Sequence, residues 1–65
     1  MRIQINGTDQ EVSGTTLAEV LNELGHGEAR VATAVNEEFV PVAARPTRRL
    51  GEGDRVEIVT PRQGG

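Results

Sequence analysis

The first five positions of the chain alternate between apolar and polar side chains. This period of two is typical of a β-strand that buries one face, with Ile3 and Ile5 turned inward. Asn6-Gly7 follows, a pair that favours a tight hairpin turn because both residues tolerate positive φ angles. The polar stretch 9–12 then predicts a short edge strand whose inward anchor is Val12. The pattern therefore predicts a β-hairpin at the start of the chain.

A helical period of apolar residues follows the hairpin. Thr16-Leu17-Ala18-Glu19 fits a capping box, in which the threonine hydroxyl and the glutamate carboxylate accept bonds from amides at the helix start. Gly25 is placed to end the helix as the residue after the C-cap, and Asn22 and Glu23 are expected to face solvent. The apolar stripe has members at i, i+3, i+4 and i+7, namely Leu17, Val20, Leu21 and Leu24.

Two further β-segments are predicted after the helix. Residues 31–35 are β-branched or small, which is consistent with a buried strand whose neighbours approach closely. Residues 36–38 predict a turn. Phe39-Val40 predicts a short strand, which ends at Pro41 because proline cannot donate to a strand ladder.

The last third of the chain predicts an irregular loop and one more strand. Segment 41–49 has no periodicity and contains two prolines, so we expect a loop with Leu50 inserted into the core beneath it. Residues 51–54 predict a turn that Asp54 braces. In the final strand, 55–59, alternation divides the side chains between two faces, with Val56 and Ile58 on one and Arg55, Glu57 and Val59 on the other.

The order of elements is hairpin, helix, strand, short strand, loop and strand. One helix covers only one face of a sheet, so we expect the other face to meet solvent or a partner. Strands separated by the helix can lie parallel through a right-handed crossover. The predicted core consists of Ile3, Ile5, Val12, Leu17, Val20, Leu21, Leu24, Leu50, Val56 and Ile58, with contributions from Val35 and Val40.

Length and composition limit the classes of function. Sixty-five residues make one domain near the lower size limit for unaided folding. With no cysteine, the chain has no disulfide, no thiolate nucleophile and no cysteine-based metal site. The sequence contains no apolar run of membrane-spanning length and no signal segment. We therefore expect a cytoplasmic protein with no membrane partner.

The charge pattern argues against nucleic acid binding. The net charge is −3, and Phe39 is the only aromatic residue, so the chain lacks both a basic stripe and stacking platforms. The basic residues Arg45, Arg48 and Arg49 cluster in the irregular loop. A solvated loop surface is the favoured interpretation of this cluster, and a patch that docks an acidic partner is the alternative.

The residues that most often carry catalysis lack suitable partners. His26 is the only histidine and predicts a solvated loop position, while Ser13 lies in a turn. Gly51-x-Gly53 precedes a strand rather than a helix, so it fails as a dinucleotide loop. Glu37 and Glu38 are adjacent in a turn and are expected to point apart into water. The sequence therefore predicts no acid–base or nucleophilic catalysis.

The chain ends in Gly64-Gly65 after the polar stretch 60–63. Glycine lacks a Cβ atom, so two terminal glycines form a thin strip that can enter a narrow slot in another protein. The terminal carboxylate is then the only reactive group on the strip. A frayed terminus without function is the alternative interpretation. All seven basic residues are arginine, which fits codon bias and also leaves no side-chain amine for an activated carboxyl end to acylate.

Several of these motifs, in this order and spacing, resemble one known family. The chain is similar over its whole length to the ThiS-type sulfur carrier proteins of thiamin biosynthesis, which are ubiquitin-like β-grasp domains. The matching segments are Ile3-x-Ile5-Asn6-Gly7, Thr16-Leu17-x-x-Val20-Leu21, Val35-Asn36 with Phe39-Val40-Pro41, Leu50-x-x-Gly53-Asp54-x-Val56-Glu57-Ile58-Val59, and Gly64-Gly65.

The resemblance implies a specific fold. It implies an α+β fold of the β-grasp type, a mixed five-stranded sheet with one helix packed on one face. The first and last strands are expected to lie parallel at the centre of that sheet. The domain is expected to span 1–59, with 60–65 as a flexible tail. The Pro- and Arg-rich loop 42–49 and the connection 25–30 are the departures from the family pattern.

The resemblance also implies a function, that of a carrier rather than an enzyme. An E1-like adenylating enzyme is expected to activate the Gly65 carboxylate with ATP and Mg²⁺, and a sulfur donor protein to convert it to a thiocarboxylate for thiazole synthase. The protein itself is expected to bind no cofactor. Gly64 and Gln63 are expected to enter the partner's active site. Phe39, Val59 and Arg62 are the candidate partner interface.

Three alternatives remain open from the sequence. The molybdopterin-synthase small subunit, or a carrier of another sulfur pathway, also ends in Gly-Gly and undergoes the same activation, although that subunit tends to be longer. A ubiquitin-like modifier would be joined to lysines of its targets through Gly65. A plain β-grasp interaction module would have an incidental tail.

Overall fold

A computed structural model describes residues 1–27 and 30–60, which form one five-stranded mixed sheet and one α-helix. In sheet order the strands are β2-β1-β5-β3-β4. The last strand therefore lies at the centre, parallel to the first strand and antiparallel to β3. This topology confirms the β-grasp expectation. The elements are β1 (Arg2–Ile5), β2 (Thr8–Glu11), α1 (Leu17–Glu23), β3 (Ala32–Val35), β4 (Glu38–Val40), a 3₁₀ turn (Val42–Ala44) and β5 (Arg55–Val59).

Two hairpins with two-residue turns form the outer parts of the sheet. Asn6 and Gly7, with φ angles of 51° and 86°, join β1 to β2. Asn36 and Glu37, with φ angles of 51° and 72°, join β3 to β4. Turns with positive φ at both central residues match the right-handed twist of the strands that they connect. The Asn6-Gly7 prediction is confirmed, and the second turn is one residue shorter than predicted because Glu38 already belongs to β4.

The predicted capping signals place both ends of α1. The Thr16 side-chain oxygen accepts a hydrogen bond from the Glu19 amide at 3.2 Å, and the Glu19 carboxylate accepts one from the Thr16 amide at 3.3 Å. At the other end Gly25 has a φ of 88°, and the His26 amide donates to the Leu21 carbonyl at 2.8 Å. This is the Schellman arrangement, in which glycine takes the left-handed position after the C-cap.

One face of the sheet and one face of α1 enclose the core. Most of the predicted core is confirmed, although three predicted members (Ile5, Leu24 and Leu50) are only partly buried against it. Two further buried residues, Val31 and Thr33, belong to the segment predicted as a buried strand but were not included in the predicted core. The buried apolar residues are Ile3, Val12, Leu17, Val20, Leu21, Val31, Val35, Val40, Val56 and Ile58.

The loop between β4 and β5 is tied to the sheet by Arg45. The Arg45 guanidinium donates to the Val31 carbonyl at 2.6 Å and to the Thr33 hydroxyl at 3.2 Å. That hydroxyl, on a residue only 2% exposed, in turn donates to the Val40 carbonyl at 2.9 Å. The solvated interpretation of the arginine cluster is therefore wrong for Arg45. Buried polar groups need hydrogen-bond partners, and this arginine supplies them.

Replacement of the helix cap tests the contribution of the capping box. We expect Thr16→Ala to lower the free energy of unfolding by about 1 kcal/mol, because the Glu19 amide loses its acceptor. Urea denaturation of both proteins measures the difference. Thr8→Ala, at an exposed position on β2, is the control and should stay within about 0.5 kcal/mol of the wild type.

The Glu19 carboxylate predicts a pH dependence of stability. Hydrogen bonds from the Thr15 amide, the Thr15 hydroxyl and the Thr16 amide hold the pKa of Glu19 below its ordinary value of 4.5. A carboxyl whose pKa is lower in the folded chain contributes stability above its unfolded pKa, and this is lost as the pH falls through the folded pKa. Denaturation at a series of pH values should show that the free energy of unfolding falls less below pH 4.5 in Glu19→Gln than in the wild type. Identical losses would contradict the role of these bonds.

Candidate functional site

The chain approaches its carboxyl end through β5, the central strand of the sheet. On one side β5 pairs with β1 at Gln4↔Arg55 and Ile5↔Val56. On the other side it pairs with β3 at four successive positions, from Ala32↔Val59 to Val35↔Val56. Strand hydrogen bonding on both sides gives the base of the terminal segment a fixed position in the domain.

Two asparagine side chains extend the pairing of β5. The Asn6 amide group donates to the Ile58 carbonyl at 3.1 Å and accepts from the Ile58 amide at 2.8 Å. From the opposite side, the Asn36 side-chain oxygen accepts from the Arg55 backbone amide at 3.0 Å, and the Asn36 backbone amide donates to the Arg55 carbonyl at 2.7 Å. Sequence analysis assigned both asparagines to turns only. No local signal indicates this second role, because their bonds cross more than 18 positions of the chain.

Beside the end of β5, the sheet face opposite α1 carries an apolar patch. Directly paired residues share a face of the sheet. Val59 pairs with Ala32, and Phe39 pairs with Ala34. Phe39 is 65% exposed and Val59 is 60% exposed. We name these four residues the outer patch, in which two small alanines on β3 separate the two large side chains.

The alanines of the outer patch were not singled out in the sequence. Segment 31–35 was interpreted as a buried strand because its residues are small or β-branched. In the structure the segment alternates: Val31, Thr33 and Val35 are buried, while Ala32 and Ala34 are partly exposed on the outer face. The alternation of alanine with larger side chains was the signal that could have identified them.

Away from the outer patch, the outer face carries two ion pairs. Arg2 and Glu11 form an exposed ion pair at 3.8 Å across β1 and β2, and Arg55 and Glu37 form another at 3.8 Å. A further exposed apolar residue, Val42 (68% exposed), lies outside the outer patch, beside a groove that α1 and the 3₁₀ turn line. The outer patch is thus confined to β3, β4 and the last residue of β5.

Within residues 1–27 and 30–60, no group of three or more His, Cys, Asp or Glu side chains is arranged to hold a metal ion. Hollows of about 130 and 180 Å³ occur on the surface, smaller than the roughly 300–1,000 Å³ of most small-molecule sites. Asp54 accepts from the Gly51 amide at 2.8 Å, which confirms that it braces the turn before β5. His26 is partly buried at the end of α1.

No helix in the part of the chain that the structure describes is long and apolar enough to cross a membrane.

Four predicted site residues lie outside the described residues, namely Arg62, Gln63, Gly64 and Gly65. Their predicted roles in activation and in partner binding stay predictions. The structure places the other two, Phe39 and Val59, on one face beside the strand that leads to the tail. It therefore brings together the described part of the predicted interface.

In the described part of the chain, the sheet order, the one α-helix and the parallel β1–β5 pair define a small ubiquitin-like β-grasp protein. Residues 3–65 match the ThiS family, and the chain therefore belongs to that family. The family is that of sulfur carrier proteins of thiamine biosynthesis. The resemblance that the sequence motifs indicated is confirmed.

Individual relatives agree with this assignment. The sulfur carrier protein ThiS of Thermus thermophilus is 41% identical over 63 residues, which cover 97% of this chain and 98% of the relative. The crystal structure of a thiamine biosynthesis protein (ThiS) from Geobacter metallireducens superposes with a TM-score of 0.85 at 28% identity and covers 100% of both chains. An NMR structure of a thiamine biosynthesis protein from the same organism gives 0.79 at 26% identity, covering 100% of this chain and 88% of the other.

Proposed function

We propose that this protein carries sulfur on the carboxyl group of Gly65 for the thiazole ring of thiamin. It is a co-substrate, not a catalyst: an E1-like enzyme adenylates the carboxylate, and thiazole synthase receives the sulfur. The single observation that carries the proposal is the extent of the family match. This match continues through residue 65 and so includes the terminal glycine pair.

The chemistry requires activation because a carboxylate is a poor electrophile. An oxygen of Gly65 attacks the α-phosphorus of ATP, pyrophosphate leaves, and an acyl-adenylate remains. Sulfur that the donor protein delivers at the oxidation level of sulfide then attacks the acyl carbon, the bond to AMP breaks, and the product is a thiocarboxylate. The Mg²⁺ ion and cationic groups that neutralise the phosphate charge belong to the adenylating enzyme.

The terminal segment is long enough to reach an active site in a partner enzyme. Residues 60–65 span roughly 20 Å if they are extended. Such a segment reaches the interior of an active site while the globular domain stays outside. Gly64 lets the strip pass where a Cβ atom would clash, with Gln63 as the next side chain back. Pro61 restricts the free tail and so reduces the entropy lost on binding.

The outer patch supplies a docking surface at the base of the tail. Phe39 and Val59 are large, exposed and on the same face, and Val59 is one residue from the start of the tail. Since β5 is held from both sides, a partner that covers the outer patch also fixes where the tail begins. Preorganisation of this kind lowers the ordering cost of binding. We place the interface for the adenylating enzyme here, with Arg62 at its margin.

Conversion of the carboxyl end tests the proposal directly. Incubation with the cognate adenylating enzyme, ATP and a sulfur donor should exchange one terminal oxygen for sulfur, which intact-mass spectrometry detects. Deletion of Gly65 should abolish the exchange without changing the thermal unfolding of the domain. Thr8→Ala, at an exposed position on β2, leaves the whole tail in place; it is the control and should still be converted.

Other outcomes distinguish the alternatives. An unchanged mass with a partner of verified activity would contradict the carrier function and favour a plain interaction module. High-molecular-weight conjugates in cell lysate, lost on deletion of Gly65, would favour a protein modifier. Growth of a deletion strain without added thiamin would contradict the assignment to the thiamin pathway.

Substitution of the outer patch tests the docking surface. We expect Phe39→Ala and Val59→Ala each to raise the KM of the adenylating enzyme for this carrier about tenfold, with kcat retained, because each removes apolar contact area. Val42→Ala is the control, since Val42 is equally exposed but lies outside the outer patch. Steady-state kinetics with the carrier as varied substrate gives both constants. Equal effects of all three substitutions would contradict a specific interface.

A further inference from the structure

The turn between β1 and β2 combines a chemically reactive dipeptide with an unusual hydrogen-bond arrangement. We propose that Asn6-Gly7 is a site of spontaneous deamidation. The native fold slows the reaction, which proceeds when the end of β5 separates from this turn. The co-reactant is water. The inference does not depend on sulfur transfer, and its test uses the carrier protein alone.

The dipeptide is reactive because nothing hinders the attacking nitrogen. The Gly7 amide nitrogen can form a five-membered ring with the side-chain carbon of Asn6. Gly7 has no side chain, and no atom outside residues 6–8 lies within 4 Å of the position that a Cβ would occupy. Both residues are exposed, so water has access to the turn. Solvent exclusion therefore does not protect the site.

Hydrogen bonds to β5 restrain the Asn6 carboxamide. The Asn6 carboxamide bonds Ile58 through both of its polar atoms, at 2.8 and 3.1 Å. The Asn6 backbone amide donates to the Val56 carbonyl at 2.9 Å. Ring closure requires the carboxamide to turn back over its own peptide bond. Both bonds to Ile58 must break first, which means that β5 must separate locally from the turn.

The reaction itself is balanced without an oxidant or a reductant. The Gly7 amide nitrogen loses its proton to base and attacks the Asn6 side-chain carbonyl carbon. A new C–N bond forms, the bond to the side-chain nitrogen breaks, and ammonia leaves. Water then adds to one of the two carbonyl carbons of the cyclic imide. Ring opening gives either aspartate or isoaspartate at position 6.

The product weakens the contact that protected the site. A carboxylate at position 6 still accepts from the Ile58 amide but has no hydrogen to donate to the Ile58 carbonyl. That carbonyl then faces a negative charge at the distance of the former hydrogen bond. Isoaspartate adds a backbone atom to a two-residue turn. Modification therefore loosens β5 next to Val59, the residue that precedes the tail.

The chain contains its own comparison sites. Asn36 has the same φ of 51° and also bonds β5, through the Arg55 amide at 3.0 Å, but Glu37 follows it. A side chain on the following residue hinders attack by its amide nitrogen. Asn22, on α1, is followed by Glu23. Selective reaction at Asn6 is thus measurable against two asparagines in the same sample.

The experiment compares native and denatured chain in mildly alkaline buffer. Peptide mapping by mass spectrometry, with separation of aspartate and isoaspartate, gives the conversion at each asparagine. We expect conversion in denaturant to concentrate at Asn6. In the native protein the deamidation of Asn6 should be at least about tenfold slower. Its rate should follow the hydrogen-exchange rate of the Ile58 amide, because that amide exchanges only when its bond to Asn6 breaks.

Two results would overturn the proposal: conversion of native Asn6 as fast as in denaturant, or conversion of Asn36 and Asn22 as fast as Asn6 in the denatured chain.

A second arm tests the consequence with Asn6→Asp, which we expect to speed exchange of the Ile58 amide about tenfold. Asn22→Asp makes the same chemical change on an exposed position of α1 and should leave that exchange unchanged. Equal exchange in both variants would contradict the loosening of β5.

Discussion

The central placement of β5 is the constraint on which the rest of the structure depends. Its side chains alternate, so Val56 and Ile58 belong to the core while Val59 stays on the outer face. The strand pairs with β1 on one side and β3 on the other. Asn6 and Asn36 add side-chain bonds to the same strand. A chain end attached to such a strand has a fixed origin, whatever the tail does beyond it.

The two faces of the sheet differ in burial: the inner face packs against α1, and the outer face is exposed. On the inner face, β-branched and aliphatic residues pack against α1, and Arg45 satisfies the buried Thr33 from the loop side. On the outer face no helix is needed, and small alanines on β3 leave room between Phe39 and Val59. Because one helix covers one face, the opposite face of a β-grasp sheet is available for contact with other proteins.

The proposed function places the chemistry outside the globule, which has a physical advantage for a protein of 65 residues. A core of this size has a small margin of stability, and buried catalytic charges would reduce that margin further. Among the described residues, Arg2 and Glu11 form a surface ion pair, and the carboxylates of Asp54 and Glu19 accept bonds from nearby backbone amides. Under the proposed function the globular domain only has to be stable and to present the tail, since the adenylating enzyme would supply the activating groups.

The sequence by itself determined the elements and their local ends. Periodicity predicted α1, β1 and β5, because side-chain direction repeats with the backbone geometry of helix and strand. Thr16, Gly25 and Asn6-Gly7 fixed caps and a turn through bonds within a few residues of each other. The terminal glycines and the ordered motifs indicated the family. Only the tertiary structure decided which asparagines hold β5, that Arg45 points inward, and that Ala32 and Ala34 join Phe39 and Val59 in one patch. Each of these depends on residues far apart in the chain, and sheet pairing brings them together at positions that no local pattern encodes.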